Sequence, residues 1–346
     1  MADLIKKAPF SPVVTGAALY LLTRAPPSVR EPALIRLRGL ISTQKIANLI
    51  TSLKWLFALG VVRNVNSYLS ELAGNNFFIQ TSKKDWNWDR EIAVVTGASS
   101  GFGRLFSEDL AARGIHVVAL DVNDAPPDMT GNPKITFFKC DVTNHERVME
   151  LAKEVQETIG HPSILINNAG VGSGHRILDT SPQWLRKIFD VNLLSHYYTV
   201  QAFLPNMLAQ KKGHIITIAS IASFIAPQGL VDYAATKAGA LAFHEGLSAE
   251  LRAFHKCPEI KTTVVHPGWA DTAMVAPYKS TLEHAGQRVM PARLVSDAVV
   301  KQILSCRGGQ LVISPAATLT STLRSWPAWL SWIIKRQGEG DDMGIH

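Results

Sequence analysis

From residue 92 onward, seven short runs of mainly β-branched and aliphatic residues recur: IAVVT (92–96), HVVAL (116–120), ITFFK (135–139), ILIN (164–167), HIITIA (214–219), KTTVV (261–265) and QLVIS (310–314). Helical stretches separate most of them. A strand, a crossover helix and a second strand in one sheet run parallel, so the pattern predicts an α/β fold built on a doubly wound, seven-stranded parallel sheet. At 346 residues, 47% hydrophobic and 18% charged, the chain is too apolar to be disordered. Its length suits one domain of about 250 residues with an appendage.

The formal charge of +7 is confined to the appendage: residues 1–90 hold twelve Lys/Arg against five Asp/Glu, and residues 91–346 hold twenty-three of each. A neutral body argues against nucleic acid as a partner. A basic segment interleaved with apolar residues is what an anionic membrane or lipid-droplet surface attracts. Residues 13–22 are apolar but far short of the ~20 needed to span a bilayer, and no small-residue cleavage site follows them before Arg24, Pro26 and Pro27. Residues 46–62 (IANLITSLKWLFALGVV) place Ile46, Leu49, Ile50, Leu53 and Phe57 at helical spacing around Lys54. This predicts a helix lying in the interface or forming half of a shallow hairpin. The alternative is an amphipathic helix packed on the protein or lining its substrate entrance.

Cys140, Cys257 and Cys306 form no C-x-x-C pair, which excludes a disulfide framework and a thiolate zinc site and points to a reducing compartment. The eleven histidines show no H-E-x-x-H pairing, so they read as structural and no metal is expected. No N-x-[ST] acceptor is present to mark a membrane side.

The first strand runs directly into Thr96, Gly97, Ala98, Ser99, Ser100, Gly101, Phe102 and Gly103, and a helical stretch begins at once. Glycines at a strand-to-helix turn let backbone N–H groups approach a pyrophosphate, which the helix start stabilises. Asp121 ends the second strand about twenty residues later, where a carboxylate bonds an adenosine ribose and repels a 2′-phosphate. The expected cofactor is therefore NAD in preference to NADP, on a Rossmann sheet. No Walker motif is present, so nucleotide hydrolysis is not supported.

The spacing T-G-x-x-x-G-x-G resembles that of the short-chain dehydrogenase/reductase family, and further motifs follow in order over about residues 90–315. By that resemblance Asp141, with Val142, contacts adenine. Asn167, Asn168, Ala169 and Gly170 support the sheet and border the nicotinamide ribose, and Pro267, Gly268 and Thr272 meet the nicotinamide side. Asn192, Ser220, Tyr233 and Lys237 match the catalytic four. Tyr233 and Lys237, four apart on an expected helix, share one face. A neighbouring ammonium favours the phenolate, which makes Tyr233 a competent base despite a reference pKa of about 10. The resemblance further assigns Lys237 to the nicotinamide ribose, Ser220 to the reacting oxygen and Asn192 to a proton relay through water.

After Thr272, the residues Ala273, Met274, Val275, Ala276, Pro277 and Tyr278 form an apolar start to the family's substrate pocket, without an arginine cluster to clamp an anion. A lipophilic alcohol or its carbonyl is the expected substrate. Together with the basic leader and Trp326, Trp329 and Trp332, the chain looks like the membrane-associated retinol and 17β-hydroxysteroid dehydrogenase branch, with fungal secondary metabolism also open. The tryptophans read as a second interfacial contact, or as packing against the sheet or at a subunit interface. The expected organisation is a membrane-associating extension (1–89), a dinucleotide-binding catalytic domain (90–315) and a Trp-rich segment ending in a loose tail (316–346). The resemblance implies a homodimer, and the leader implies the endoplasmic reticulum or a lipid droplet with the catalytic domain in the cytosol. The competing readings are an NADPH-using ketoreductase and a non-catalytic membrane scaffold that binds NAD.

Overall fold

A computed structural model describes residues 11–79, 83–314 and 317–336 of the chain. Lys6, Lys7 and the polar tail after residue 336 lie outside them. The chain divides into two compact units, Met1–Phe77 and Phe78–His346.

The first unit consists of α1 (Pro12–Thr23), α2 (Pro27–Leu40) and α3 (Thr43–Gly74). Proline opens both α1 and α2, where its fixed φ suits a helix start and its missing N–H costs nothing. The Ser42 hydroxyl caps α3 by accepting the N–H of Lys45. Gly16 lets α1 lie close on α3, since a β-carbon there would sit 3.1 Å from the Phe57 ring. The predicted helix at 46–62 extends in both directions to 32 residues, roughly 48 Å at 1.5 Å per residue. Among the described residues it is the one helix long and apolar enough to cross a membrane, by length and composition. Trp55, Leu59 and Val62 on it are more than half exposed.

The second unit contains all seven predicted strands: β1 (Ile92–Thr96), β2 (His116–Asp121), β3 (Ile135–Lys139), β4 (Ile164–Asn167), β5 (His214–Ile218), β6 (Lys261–Pro267) and β7 (Gly309–Ile313). All pair in parallel, in the order β3-β2-β1-β4-β5-β6-β7. The order reverses direction between β1 and β4, which opens a crevice at the carboxyl ends of these strands. α4 (Gly101–Ala111) and α9 (Arg293–Leu304) cover one face through Phe106, Leu110, Val295 and Val299. α5 (His145–Thr158), α7 (Ser195–Gln210) and α8 (Val231–Ala253) cover the other through Leu151, Phe203, Met207 and Leu247. Central strands β1 and β5 are buried along their whole length, as expected of a parallel sheet covered on both sides.

The division between the units falls earlier than residue 89. Trp86 and Trp88 stack at 5.3 Å and pack into the core under α4 and α9. At the other end, α10 (Ala328–Arg336) leaves Trp329 and Trp332 mostly exposed, with the Arg336 guanidinium 5.0 Å from the Trp332 ring.

Candidate active site

Gly97 and Gly101 both take positive φ, +66° and +54°, which a side chain disfavours. The space around the turn is equally restrictive. A β-carbon at Gly97 would lie 2.9 Å from Ala169 Cα, and one at Gly103 would lie 2.0 Å from the Gly97 carbonyl oxygen. The turn therefore has its backbone bare at the start of α4, on the edge of a cavity of about 890 Å³ that Gly97, Ser100, Gly101 and Phe102 help to line. Such a bare cradle at a helix start fits the pyrophosphate of a dinucleotide.

Thr96, Ser99 and Gly103 do not line the cavity; they shape what does. Thr96 Oγ1 accepts the N–H groups of Asn168 and Ala169 at 3.0 and 2.9 Å. The Asn168 amide in turn donates to the carbonyls of Thr96 and Gly97 at 2.8 and 3.1 Å. Strands β1 and β4 are thus locked where they diverge, with Asn168, Ala169 and Gly170 facing the cavity. Ser99 donates its N–H to Asp121 Oδ2 at 2.9 Å, and Asn123 donates its N–H and side-chain amide to Oδ1 at 2.9 and 3.0 Å. These bonds aim the Asp121 carboxylate from the end of β2 into the cavity edge. Asp141 and Val142 line the same edge, and Asp141 is held by the N–H and hydroxyl of Thr143 at 2.9 and 2.8 Å. Pro267, Gly268 and Thr272 also line the cavity.

Three of the four residues expected to be catalytic meet in that cavity: Ser220, Tyr233 and Lys237. Ser220 follows β5 and opens a 3-10 turn, with its hydroxyl accepting the Ala222 N–H at 3.1 Å. Its hydroxyl also acts on the Tyr233 phenol, in the direction that lowers the phenol's pKa. Lys237 lies one turn after Tyr233 on α8, its ammonium 5.6 Å from the Tyr233 ring centre and donating to the Ile218 carbonyl at 2.9 Å. Burial pushes the Tyr233 phenol above its ordinary value, and the Ser220 hydroxyl offsets part of that rise. Burial also pushes the Lys237 ammonium down to about 8, which leaves it charged at neutral pH.

Asn192 stands apart from the three. It is fully buried in a π-helical segment, Asp190–Leu194, between α6 (Pro182–Phe189) and α7. Its amide grips both backbone groups of Val171, accepting the N–H at 2.8 Å and donating to the carbonyl at 2.9 Å, and it donates to Thr236 Oγ1 at 3.1 Å. Its side chain thereby fixes the loop after β4, and that loop passes over the tyrosine: a β-carbon at Gly172 would lie 3.2 Å from the Tyr233 ring and 3.3 Å from Met274 Sδ. The Tyr278 hydroxyl closes the strap by accepting the Gly174 N–H at 3.1 Å. Of the residues expected in the substrate wall, Ala273, Met274, Val275 and Tyr278 face the cavity, and Ala276 and Pro277 do not.

Sequence reasoning missed several lining residues. Ile225, Pro227 and Leu230 extend the apolar wall from the loop between Ser220 and Tyr233, and Arg186 and Lys187 bring positive charge to the rim from α6. Neither group carries a motif.

The family described as short chain dehydrogenase matches residues 91–283, which include the glycine turn and all four of these residues. The chain belongs to this short-chain dehydrogenase family. Dehydrogenase RED2 of Cochliobolus heterostrophus is 43% identical over 203 residues, 58% of this chain and 75% of that protein. Retinol dehydrogenase 10-B of Danio rerio is 36% identical over 229 residues, 59% of this chain and 67% of that protein. Among solved structures, a short-chain dehydrogenase/reductase from Burkholderia phymatum in complex with NAD superposes with a TM-score of 0.62 at 26% identity, covering 69% of this chain and 94% of that one. As a short-chain dehydrogenase, the protein is an oxidoreductase that interconverts alcohol and carbonyl groups with a nicotinamide dinucleotide.

Proposed function

We propose that the protein is an NAD-dependent dehydrogenase of a lipophilic alcohol, of the retinoid, steroid, fatty or terpenoid/polyketide type, attached to a membrane by its first unit. One observation carries the reading. The cavity that brings Ser220, Tyr233 and Lys237 together continues into a wall of Ile225, Leu230, Met274, Val275 and Leu282, so the reacting alcohol meets the polar trio while an apolar body is covered.

When bound, the nicotinamide supplies the hydride acceptor. The chain's own residues handle position and the proton. The Ser220 hydroxyl orients the reacting oxygen, and the Tyr233 phenolate takes the alcohol's proton. Lys237 holds positive charge beside that phenolate, opposing the burial that otherwise keeps the phenol protonated. Asn192 acts through Val171, keeping the strap in place over Tyr233. Asp121 favours NAD by accepting from the adenosine ribose and repelling a 2′-phosphate, with Asp141 and Val142 at the adenine and Pro267, Gly268 and Thr272 at the nicotinamide.

The similarity to Retinol dehydrogenase 10-B supports the lipophilic substrate class. The exposed apolar surface of α3 supports the membrane, with an endoplasmic reticulum or lipid-droplet surface as the site. Three free, buried cysteines agree with a catalytic unit in the cytosol. Exposed Leu194 and Tyr197, at the start of α7, suit a homodimer through α7 and α8.

The raised phenol of Tyr233 favours a second reading, in which the protonated tyrosine serves as the acid in ketone reduction. Product analysis of detergent-solubilised protein with retinol, oestradiol and decan-1-ol, with NAD and NADP each titrated, tests both. Turnover with NAD supports the first reading, and a preference for NADPH with the matching carbonyls supports the second.

A further inference from the structure

Ser220 is poorly anchored by the sheet that delivers it. The Ala219 N–H still bonds the Val265 carbonyl at 2.8 Å. Two residues on, where a parallel ladder would next donate back to β5, stands Pro267, which has no N–H. Beyond that point the turn is held by Ser223, whose N–H donates to the Ser220 carbonyl at 2.9 Å and whose hydroxyl donates to the Lys237 carbonyl at 2.8 Å, and by a side chain from β6. His266 is fully buried, its Nδ1 lies 3.0 Å from the Ser220 carbonyl oxygen, and its Nε2 lies 3.1 Å from Gln310 Nε2 on β7. A carbonyl only accepts, so Nδ1 carries the proton, and Nε2 is left as the acceptor for the Gln310 amide. The two partners select one neutral tautomer. Burial supports it by pushing the imidazolium down to about 4. Phe224, at the far end of the same turn, packs on the imidazole with ring centres 4.5 Å apart.

We propose that His266 is a positioning residue, which with Gln310 fixes the orientation of Ser220 toward Tyr233. This rests on the catalytic reading of Ser220 and Tyr233 given above. Serine has one side-chain torsion before its hydroxyl, so rotation of its peptide carries Oγ with it. A displacement of 1 Å at a reacting group costs as much as about a hundredfold in rate.

Two substitutions separate positioning from packing. His266→Phe keeps a ring against Phe224 and removes the donor. His266→Asn removes the ring and keeps a donor near the place of Nδ1. With NAD and whichever of retinol, oestradiol or decan-1-ol the wild type oxidises best, His266→Phe is expected to lower kcat by 10- to 100-fold, with KM and NAD affinity within about twofold. His266→Asn is expected to recover most of that loss while melting at a lower temperature than His266→Phe. Gln310→Leu is expected to lower kcat a few-fold in the wild type and hardly at all beside His266→Asn, because an amide has no tautomer to select. A kcat for His266→Phe near the wild-type value, or rates that follow the melting temperatures in order, would overturn the proposal. Tyr233→Phe is measured alongside. If it also retains full activity, or if the wild type turns over neither the three alcohols nor their matching carbonyls, the catalytic reading itself fails and takes this inference with it.

Discussion

The core of the sheet unit and the outer surface of α3 treat the same kinds of side chain in opposite ways. In the sheet unit Phe106, Phe203, Leu110 and Leu165 are all fully covered, and even Lys237 is only 3% exposed with its ammonium bonded. In the helical unit Trp55 is 69% exposed and Val62 65%. A water-soluble protein seldom leaves large apolar groups together in the open. The contrast supports the membrane proposed for the first unit, and it shows that burial and hydrogen bonding together organise the cavity of the second.

Acid offers the largest effect with which to break that contrast. Burial pushes His196 and His214 down to about 3, and His244 and His266 down to about 4. Their ordinary value is near 6.5, so below it the unfolded chain binds protons that the fold refuses, and stability falls as the pH falls. Each histidine costs about 2 kcal/mol between pH 6.5 and 5 at 1.36 kcal/mol per pH unit. Together they consume much of a typical domain's stability. No histidine lies in residues 1–77. Denaturant melts of the full chain and of residues 78–346 should therefore lose midpoint equally on acidification, and a midpoint that holds steady from pH 6.5 to 5 would contradict the buried neutral assignment.

Tyr233→Phe comes next. It should lower turnover by about a hundredfold or more while NAD still binds, as expected for loss of a general base; calorimetric NAD titration beside steady-state rates would show whether both hold. Removing residues 1–77 should reverse the pattern, leaving NAD binding intact and reducing attachment to anionic liposomes at least tenfold. The apolar side chains of α3 are worth roughly 1.5–3 kcal/mol each on full burial, so equal flotation of the two forms would move the anchor to α10. Asp121→Ser should have the smallest effect, weakening NAD by about tenfold and narrowing the margin over NADP without inverting it, since no arginine is added to hold a 2′-phosphate. A wild type already preferring NADP would reverse the reading of Asp121.

All seven strands were legible because a parallel sheet buried on both faces leaves continuous β-branched runs that few other structures need. Their ends were less so. The run read as 261–265 continues to Pro267 because β7 pairs with it there, a contact from far along the chain. On α3 the reading stopped where hydropathy fell, at Arg63, whereas the helix runs on to Gly74; propensity, not hydropathy, governs helix continuation. At the site, the glycine turn, Asp121, Tyr233 and Lys237 were legible because their chemistry depends on local spacing. The link from His266 to Gln310 spans 44 residues and joins two strands, so no local signal marks it. Asn192 was found by motif, but its hold on Val171 depends on a neighbouring loop that the motif does not contain.

The π-helical segment that presents Asn192 changes the phase of the rod it interrupts. Each residue in a helix advances the next by about 100°, so one additional residue within a turn rotates everything after it relative to everything before. Residues 182–189 and 195–210 can then each turn buried side chains, Ile188 on one side and Phe203 and Met207 on the other, toward the body of the protein. The extra residue works as a gear between two packing surfaces. Deleting one position here would do more than shorten a helix, because it would turn Phe203 and Met207 out of the core.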